Sequence, residues 1–140
     1  MKAVIILGCV LLFASAIESQ SFGGNIGAQC QTQLNAYTVN TFSVNPWPPT
    51  KNSNVAMSMT GVMNQAETLK AMGIFVFFNG QSFYQESIPE SGTYAAGQAC
   101  NISFKVYFPP IIPSGNYAVD VELQNTQGQY LNCWEVKFSI

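Results

Sequence analysis

The chain has 140 residues, of which 48% are hydrophobic and 9% charged, with a net charge of −2 and neither histidine nor arginine. Without those two residue types it lacks the usual general base, the commonest metal ligand and the bidentate phosphate clamp. The charged fraction is far below the roughly 25% of an ordinary domain, and five lysines against seven acids form no basic stripe, which argues against a nucleic-acid partner.

Residues 1–16 read as a secretory signal peptide. Met1-Lys2 supplies a short positive start, residues 3–13 are apolar, and Ala14-Ser15-Ala16 is a small-x-small cleavage site. The apolar run is shorter than the about 20 residues that span a bilayer. Residues 17–140 are then one mature domain, large enough for a single core, in a secreted protein or in the lumen of a lysosome-like organelle.

The mature pattern is β throughout. Residues 34–44 are rich in Thr, Val, Tyr and Phe and stop at Pro46-Trp47-Pro48-Pro49. Val55, Met57 and Met59 alternate with small polar residues and lead to Gly61. Residues 67–72 read as a connection, with at most one helical turn. Residues 73–78 form a continuously apolar strand, and Asn79-Gly80 is a strong hairpin signal before a strand over 82–88. Glu90-Ser91-Gly92 opens a turn, and residues 98–108 form a strand that ends at Pro109-Pro110. Tyr117, Val119, Val121 and Leu123 alternate with Ala118, Asp120 and Glu122, as in a half-buried antiparallel strand. Gln127-Gly128 turns the chain into a last strand over 129–140. About seven strands at this spacing predict an all-β, immunoglobulin-like sandwich of two antiparallel sheets.

Cleavage after residue 16 removes Cys9 and leaves Cys30, Cys100 and Cys133, an odd number in an oxidising compartment. Cys100 is in phase with Ile102, Phe104 and Val106 and reads as a buried, inert thiol. Cys133 shares the outward phase of Glu135 and Lys137, so Cys30–Cys133 is the expected disulfide.

These landmarks, taken in order, resemble the ML-domain family of secreted or lysosomal lipid-recognition proteins. They are Cys30, the strand ending in Val44-Asn45-Pro46-Trp47-Pro48-Pro49, Thr60-Gly61, the Pro-Ser-Gly-Asn-Tyr of residues 113–117, and Cys133-Trp134-Glu135-Val136. The likeness is greatest to the phosphatidylglycerol/phosphatidylinositol transfer and Niemann–Pick-type sterol carrier branches. The family pairing of first and last cysteines matches Cys30 and Cys133. Extra family disulfides are missing, and Trp47 stands where the sterol-carrier branch has a cysteine.

The resemblance implies a non-enzymatic, monomeric lipid-binding or lipid-transfer protein with no cofactor and no metal, holding a phospholipid or sterol between its sheets. The inward residues expected to line that cavity are Met57, Met59, Phe75, Phe77, Ile102, Phe104, Val106, Tyr117, Val119, Val121, Trp134 and Val136, with both faces of residues 73–78 apolar. Trp47 and Pro48, with Phe108, Ile111 and Ile112, form two apolar loops suited to a cavity mouth and a transient membrane contact. Lys51, Lys70 and Lys105 are the candidate partners of a phosphate head. Asn101-Ile102-Ser103 is a glycosylation sequon with Asn101 facing outward. The competing reading is a secreted adhesion or carbohydrate-binding sandwich with a filled core that uses Trp47 and surface tyrosines. No nucleophile–base set is available for hydrolysis, and Glu86 with Glu90 read as loop-edge charges rather than a glycosidase pair.

Overall fold

Alternating apolar and small polar side chains give each segment one face to bury, and two such sheets bury them against each other. The computed structural model describes residues 25–32 and 34–140, so the expected signal peptide lies outside the described residues. The strands are β1 (Ala28–Gln29), β2 (Tyr37–Asn45), β3 (Ser53–Met63), β4 (Glu67–Phe78), β5 (Gln81–Tyr94), β6 (Ala99–Phe108), β7 (Asn116–Asn125) and β8 (Trp134–Ser139). One antiparallel sheet has the order β1-β8-β7-β4-β5 and the other β2-β3-β6, so the expected two-sheet sandwich is the observed fold. The two-residue β1 is the strand beyond the expected seven.

The smaller sheet contributes Phe42 and Val44 from β2, Val55, Met57 and Met59 from β3, and Ile102 and Phe104 from β6, with Phe42 opposite Met59 and Met59 opposite Ile102. The larger sheet answers with Met72 and Ile74 from β4, Val119, Val121 and Leu123 from β7, and Val136 and Phe138 from β8. Gly61 is buried in β3 because Tyr37 needs its space: a Cβ there would run into the Tyr37 ring and the Thr38 carbonyl. The Tyr37 hydroxyl donates to the Cys100 carbonyl at 2.8 Å. Asn79 and Gly80, at φ 47° and 81°, make the left-handed pair that a two-residue hairpin turn demands.

Four boundaries differ from expectation, each for a local reason. Residues 67–72 are neither helix nor connection but the first half of β4. Their alternation is broken by a bulge at Lys70, which has no partner between Leu69↔Gly92 and Ala71↔Pro89. Residues 90–92 lie inside β5 rather than turning the chain, with Gly92 at φ 138° taking up the irregularity. The first strand begins at Tyr37 rather than residue 34. The last begins at Trp134, because residues 129–133 meet β7 only in the single Gln124↔Tyr130 bridge, flanked by the Leu131 amide donating to Leu123 O at 2.8 Å, and side chains bond the backbone groups on either side. Asn132 Oδ1 accepts from the Leu123 amide at 2.8 Å, and Asn125 Oδ1 accepts from the Gln129 amide at 2.9 Å. Glu67, buried beside them, accepts from the Asn125 side chain at 2.9 Å and from Gln65 at 2.6 Å.

Cys30 and Cys133 form the expected disulfide, with Cα atoms 5.4 Å apart and a sequence separation of 103. Cys133 keeps the outward phase but is buried where Cys30 is bonded to it. Cys100 is free and buried, and burial pushes its thiol pKa upward, with Glu90 adding to the shift and a hydrogen bond from Tyr94 opposing it. That environment suppresses the thiolate and makes the cysteine inert.

A bridge closing so long a loop contributes about 4–5 kcal/mol in the chain-entropy model. Replacing both cysteines (C30S with C133S) is therefore expected to lower the unfolding free energy by about that amount in urea titrations. An unchanged midpoint would show that the open chain is equally restrained.

On the outer face of the larger sheet, Asp120 Oδ1 is buried without a hydrogen-bond partner. Burial, and then the neighbouring Glu135, push its carboxyl up to about 6, with Lys137 pulling the other way. A raised native pKa means that the native state holds the proton more tightly than the unfolded chain. Its stabilising effect is complete below pH 3.8 and is lost as pH rises through about 6. Asp120→Asn should raise the melting temperature by a few degrees at pH 7.5, on the order of 1 kcal/mol after discounting for partial exposure. The gain should vanish by pH 4, and thermal unfolding of both proteins across that range measures it.

Candidate functional site

The two long sides of the sandwich are built differently. Along one, the N-terminal segment bridges the sheets: the Ile26 amide donates to the Phe42 carbonyl at 2.7 Å, and Trp134 Nε1 donates to the Ile26 carbonyl at 2.9 Å. Tyr37 N donates to Leu131 O at 3.0 Å, Phe42 stacks on Trp134 with centroids 6.4 Å apart, and the disulfide lies in the same region. Along the other side run β5 and β6, the free edges of their sheets. At one end these edges are joined by the chain itself, where residues 95–98 carry β5 into β6 through a turn closed by the Gln98 amide donating to the Ala95 carbonyl at 3.1 Å. Towards the other end they part, and a cleft of about 680 Å³ opens between them.

The cleft has an apolar interior and an amphipathic rim. Met57, Ile74, Val76, Val106, Tyr117 and Val119 line its interior. Its rim carries Phe83, Tyr84 and Glu86 from β5, Lys105 and Tyr107 from β6, and the loop after β6 with Ile111 and Ile112. The volume falls in the range of small-ligand pockets. The Tyr84 hydroxyl donates to Glu86 at 3.2 Å, and the Tyr107 hydroxyl donates to Asn52 at 3.0 Å.

The expected cavity residues divide into four groups. Met57, Val106, Tyr117 and Val119 line the cleft. Met59, Ile102, Phe104, Val121 and Val136 are buried between the sheets without bordering it. Trp134 lies on the closed side, stacked on Phe42. Phe75 and Phe77 lie on the outer face of the larger sheet, where Phe75 meets Tyr130 edge-on and Phe77 borders a hollow with Asp120 and Lys137.

The bulge at Lys70 explains that last group. Before it Glu67 and Leu69 point inward, and after it Met72, Ile74, Val76 and Phe78 do, as their pairing with Leu123, Val121, Val119 and Tyr117 requires. An apolar run gives no hint of this change of phase, so Ile74 and Val76 were not singled out in the sequence. Tyr84 and Glu86, which pair with Val76 and Ile74, reach the rim for the same reason.

The two apolar loops also part company. Phe108 is buried, with Ile112 beside it, and Ile111 is 89% exposed at the rim. Trp47 and Pro48 do not border the cleft: Trp47 packs edge-on against Phe138, whose ring also meets Phe108 and Tyr117, and helps plug that end of the sandwich. Of the three lysines weighed as head-group partners, only Lys105 lines the cleft. Asn101 is exposed on the edge strand β6. Cys30, Asp120 and Cys133 bring three donor atoms together, but the disulfide occupies two of them, so they make no thiolate metal site.

An ML-domain family model matches residues 24–140. No curated protein matches the chain in sequence. In fold it is similar to a Niemann-Pick type C2 protein from the Japanese carpenter ant, with 9% identity, a TM-score of 0.60 and coverage of 82% of this chain and 98% of that one. It is also similar to chicken MD-1, solved in complex with lipid IVa, with 13% identity, a TM-score of 0.51 and coverage of 84% and 96%. The C-terminal domain of Wzt is a third neighbour, with 16% identity, a TM-score of 0.54 and coverage of 85% and 75%. At these identities the solved structures speak to the fold alone, while the family model covers most of the chain. The chain belongs to the ML-domain family.

Proposed function

We propose that this protein is a secreted, non-enzymatic lipid carrier that takes a phospholipid or sterol into the cleft between β5 and β6. The observation that carries this reading is the cleft itself: a space of about 680 Å³ with a Met, Ile, Val and Tyr interior, open between the β5 and β6 edges. Uptake would be driven by removing apolar ligand surface from water, at about 25 cal/mol per Å². Membership of the ML-domain family supports it, as does the lipid IVa bound by chicken MD-1. The same relationship favours an extracellular or lysosomal location and a chain whose residues 1–16 are removed.

The exposed Ile111 beside Pro109 and Pro110 is the part of the rim suited to enter a bilayer while lipid moves in or out. Among the described residues no acid–base–nucleophile set borders the cleft, since the chain has no histidine and Glu86 is the only carboxylate of these that lines it. Asn101, exposed on β6, is open to glycosylation during secretion. The carbohydrate-binding alternative calls for aromatics in a row on one face, whereas Phe83, Tyr84 and Tyr107 sit on both sides of the cleft.

Native mass spectrometry of protein purified from a eukaryotic secretion host tests the proposal. One co-purifying lipid per chain is the expected result. Val106→Trp, which fills the interior from the edge strand, should reduce occupancy at least tenfold without lowering the melting temperature. Ile111→Asp should slow extraction from vesicles while leaving the occupancy reached at equilibrium nearly the same. Protein that stays empty after incubation with mixed liposomes would overturn the carrier reading.

A further inference from the structure

The structure assigns a second binding site, on the outer face of the larger sheet, whose chemistry suits a neutral, β-linked hexose oligosaccharide. It lies across that sheet from the cleft and is independent of the carrier reading. Strand phase builds it. Ala118 of β7 pairs with Phe77 of β4 on one side and with Lys137 of β8 on the other, so all three share the outer face. Two residues along β7, Asp120 pairs with Glu135, and two residues the other way Asn116 pairs with Ser139. A single methyl group between longer side chains leaves a depression, and these residues border a hollow of about 680 Å³ there. From Asn116 to Asp120 the strand rises about 13 Å, room for more than one sugar ring.

One wall of the hollow is an aromatic ring, and the others are polar groups held in place. The Ser139 hydroxyl donates to Asn116 Oδ1 at 2.8 Å, and Lys137 Nζ meets Glu135 at 2.8 Å. Asp120 differs, because its Oδ1 is buried with no hydrogen-bond partner among the described residues. An unbonded acceptor of this kind carries a desolvation cost that a donor on a ligand removes. Rotation about the soft χ2 of a carboxylate lets either oxygen turn to a donor in the hollow. Carboxylates only accept hydrogen bonds and an ammonium only donates them, whereas a sugar hydroxyl does both. Vicinal hydroxyls can therefore bond Asp120 and Lys137 at once, through charge-assisted bonds. Equatorial hydroxyls leave the C–H bonds of a β-linked hexose on its two faces, and one such face matches the electron-rich face of the Phe77 ring. Asp120 and Glu135 against the one Lys137 leave an excess negative charge, which repels an anionic sugar.

The intact secreted protein should be titrated with three tetramers of different charge: neutral cellotetraose, anionic tetragalacturonate and cationic tetralysine. Cellotetraose is expected to bind, and to shift backbone amide resonances of β4, β7 and β8 around Ala118. Tetragalacturonate should bind at least about tenfold more weakly. Phe77→Val keeps a strand-forming side chain but removes the ring, and should weaken cellotetraose binding by about tenfold. Ala118→Trp, which fills the floor of the hollow, should abolish it. Asp120→Ala removes an unpartnered carboxylate without loss of stability, so weaker sugar binding by this variant is not a folding defect. No binding of cellotetraose would overturn the assignment, as would tighter binding of tetragalacturonate or tetralysine. Cellotetraose binding that survives both Phe77→Val and Ala118→Trp would also overturn it. None of these results bears on lipid in the cleft.

Discussion

The structure depends on an asymmetry between its two long sides. A two-sheet sandwich has four sheet edges, and each must be paired, covered or left open. Here the N-terminal segment covers one side: it pairs with β8, bonds across to β2 through Ile26 and is covalently held by Cys30–Cys133. With that side fixed, the apolar faces can stay packed at the disulfide side and part at the other. The buried Met59, Val121 and Val136 belong to the packed part, while Met57, Val106 and Val119 face the space that opens.

A single-residue bulge decides which side chains serve that space. In a strand of period two, one extra residue exchanges the faces of everything beyond it. The bulge at Lys70 sends Ile74 and Val76 inward and Phe75 and Phe77 outward. The two phenylalanines then become part of an outer surface that also carries Asp120, Glu135 and Lys137. The register with β5 carries the same phase to Glu86 and Tyr84, so the chemistry of the rim is set by an irregularity more than ten residues away in sequence.

One end of the sandwich is organised by buried amides beside an interrupted ladder. Asn125 and Asn132 satisfy backbone amides where the pairing of β7 with the segment before β8 shrinks to one bridge, and Glu67 is retained inside because Gln65 and Asn125 both donate to it. Such groups are tolerated in a core only when their bonds are made. At the opposite end an aromatic cluster of Trp47, Phe108, Tyr117 and Phe138 fills the space instead.

The sequence by itself determined the β class, the two-sheet architecture, the Asn79-Gly80 hairpin, the disulfide partners and the inert Cys100. Each follows from short-range rules: strict alternation in β3, β6 and β7, a turn dipeptide with obligatory left-handed angles, and cysteine phase within a strand. It also marked Met57, Val106, Tyr117, Val119 and the Ile111 loop. Only the tertiary structure decided that Trp47 plugs an end, that Phe75 and Phe77 face outward, and that Tyr84 and Glu86 reach the cleft. An apolar run carries no phase, a bulge leaves no composition signal, and two edge strands from different sheets meet only once the chain has crossed between them.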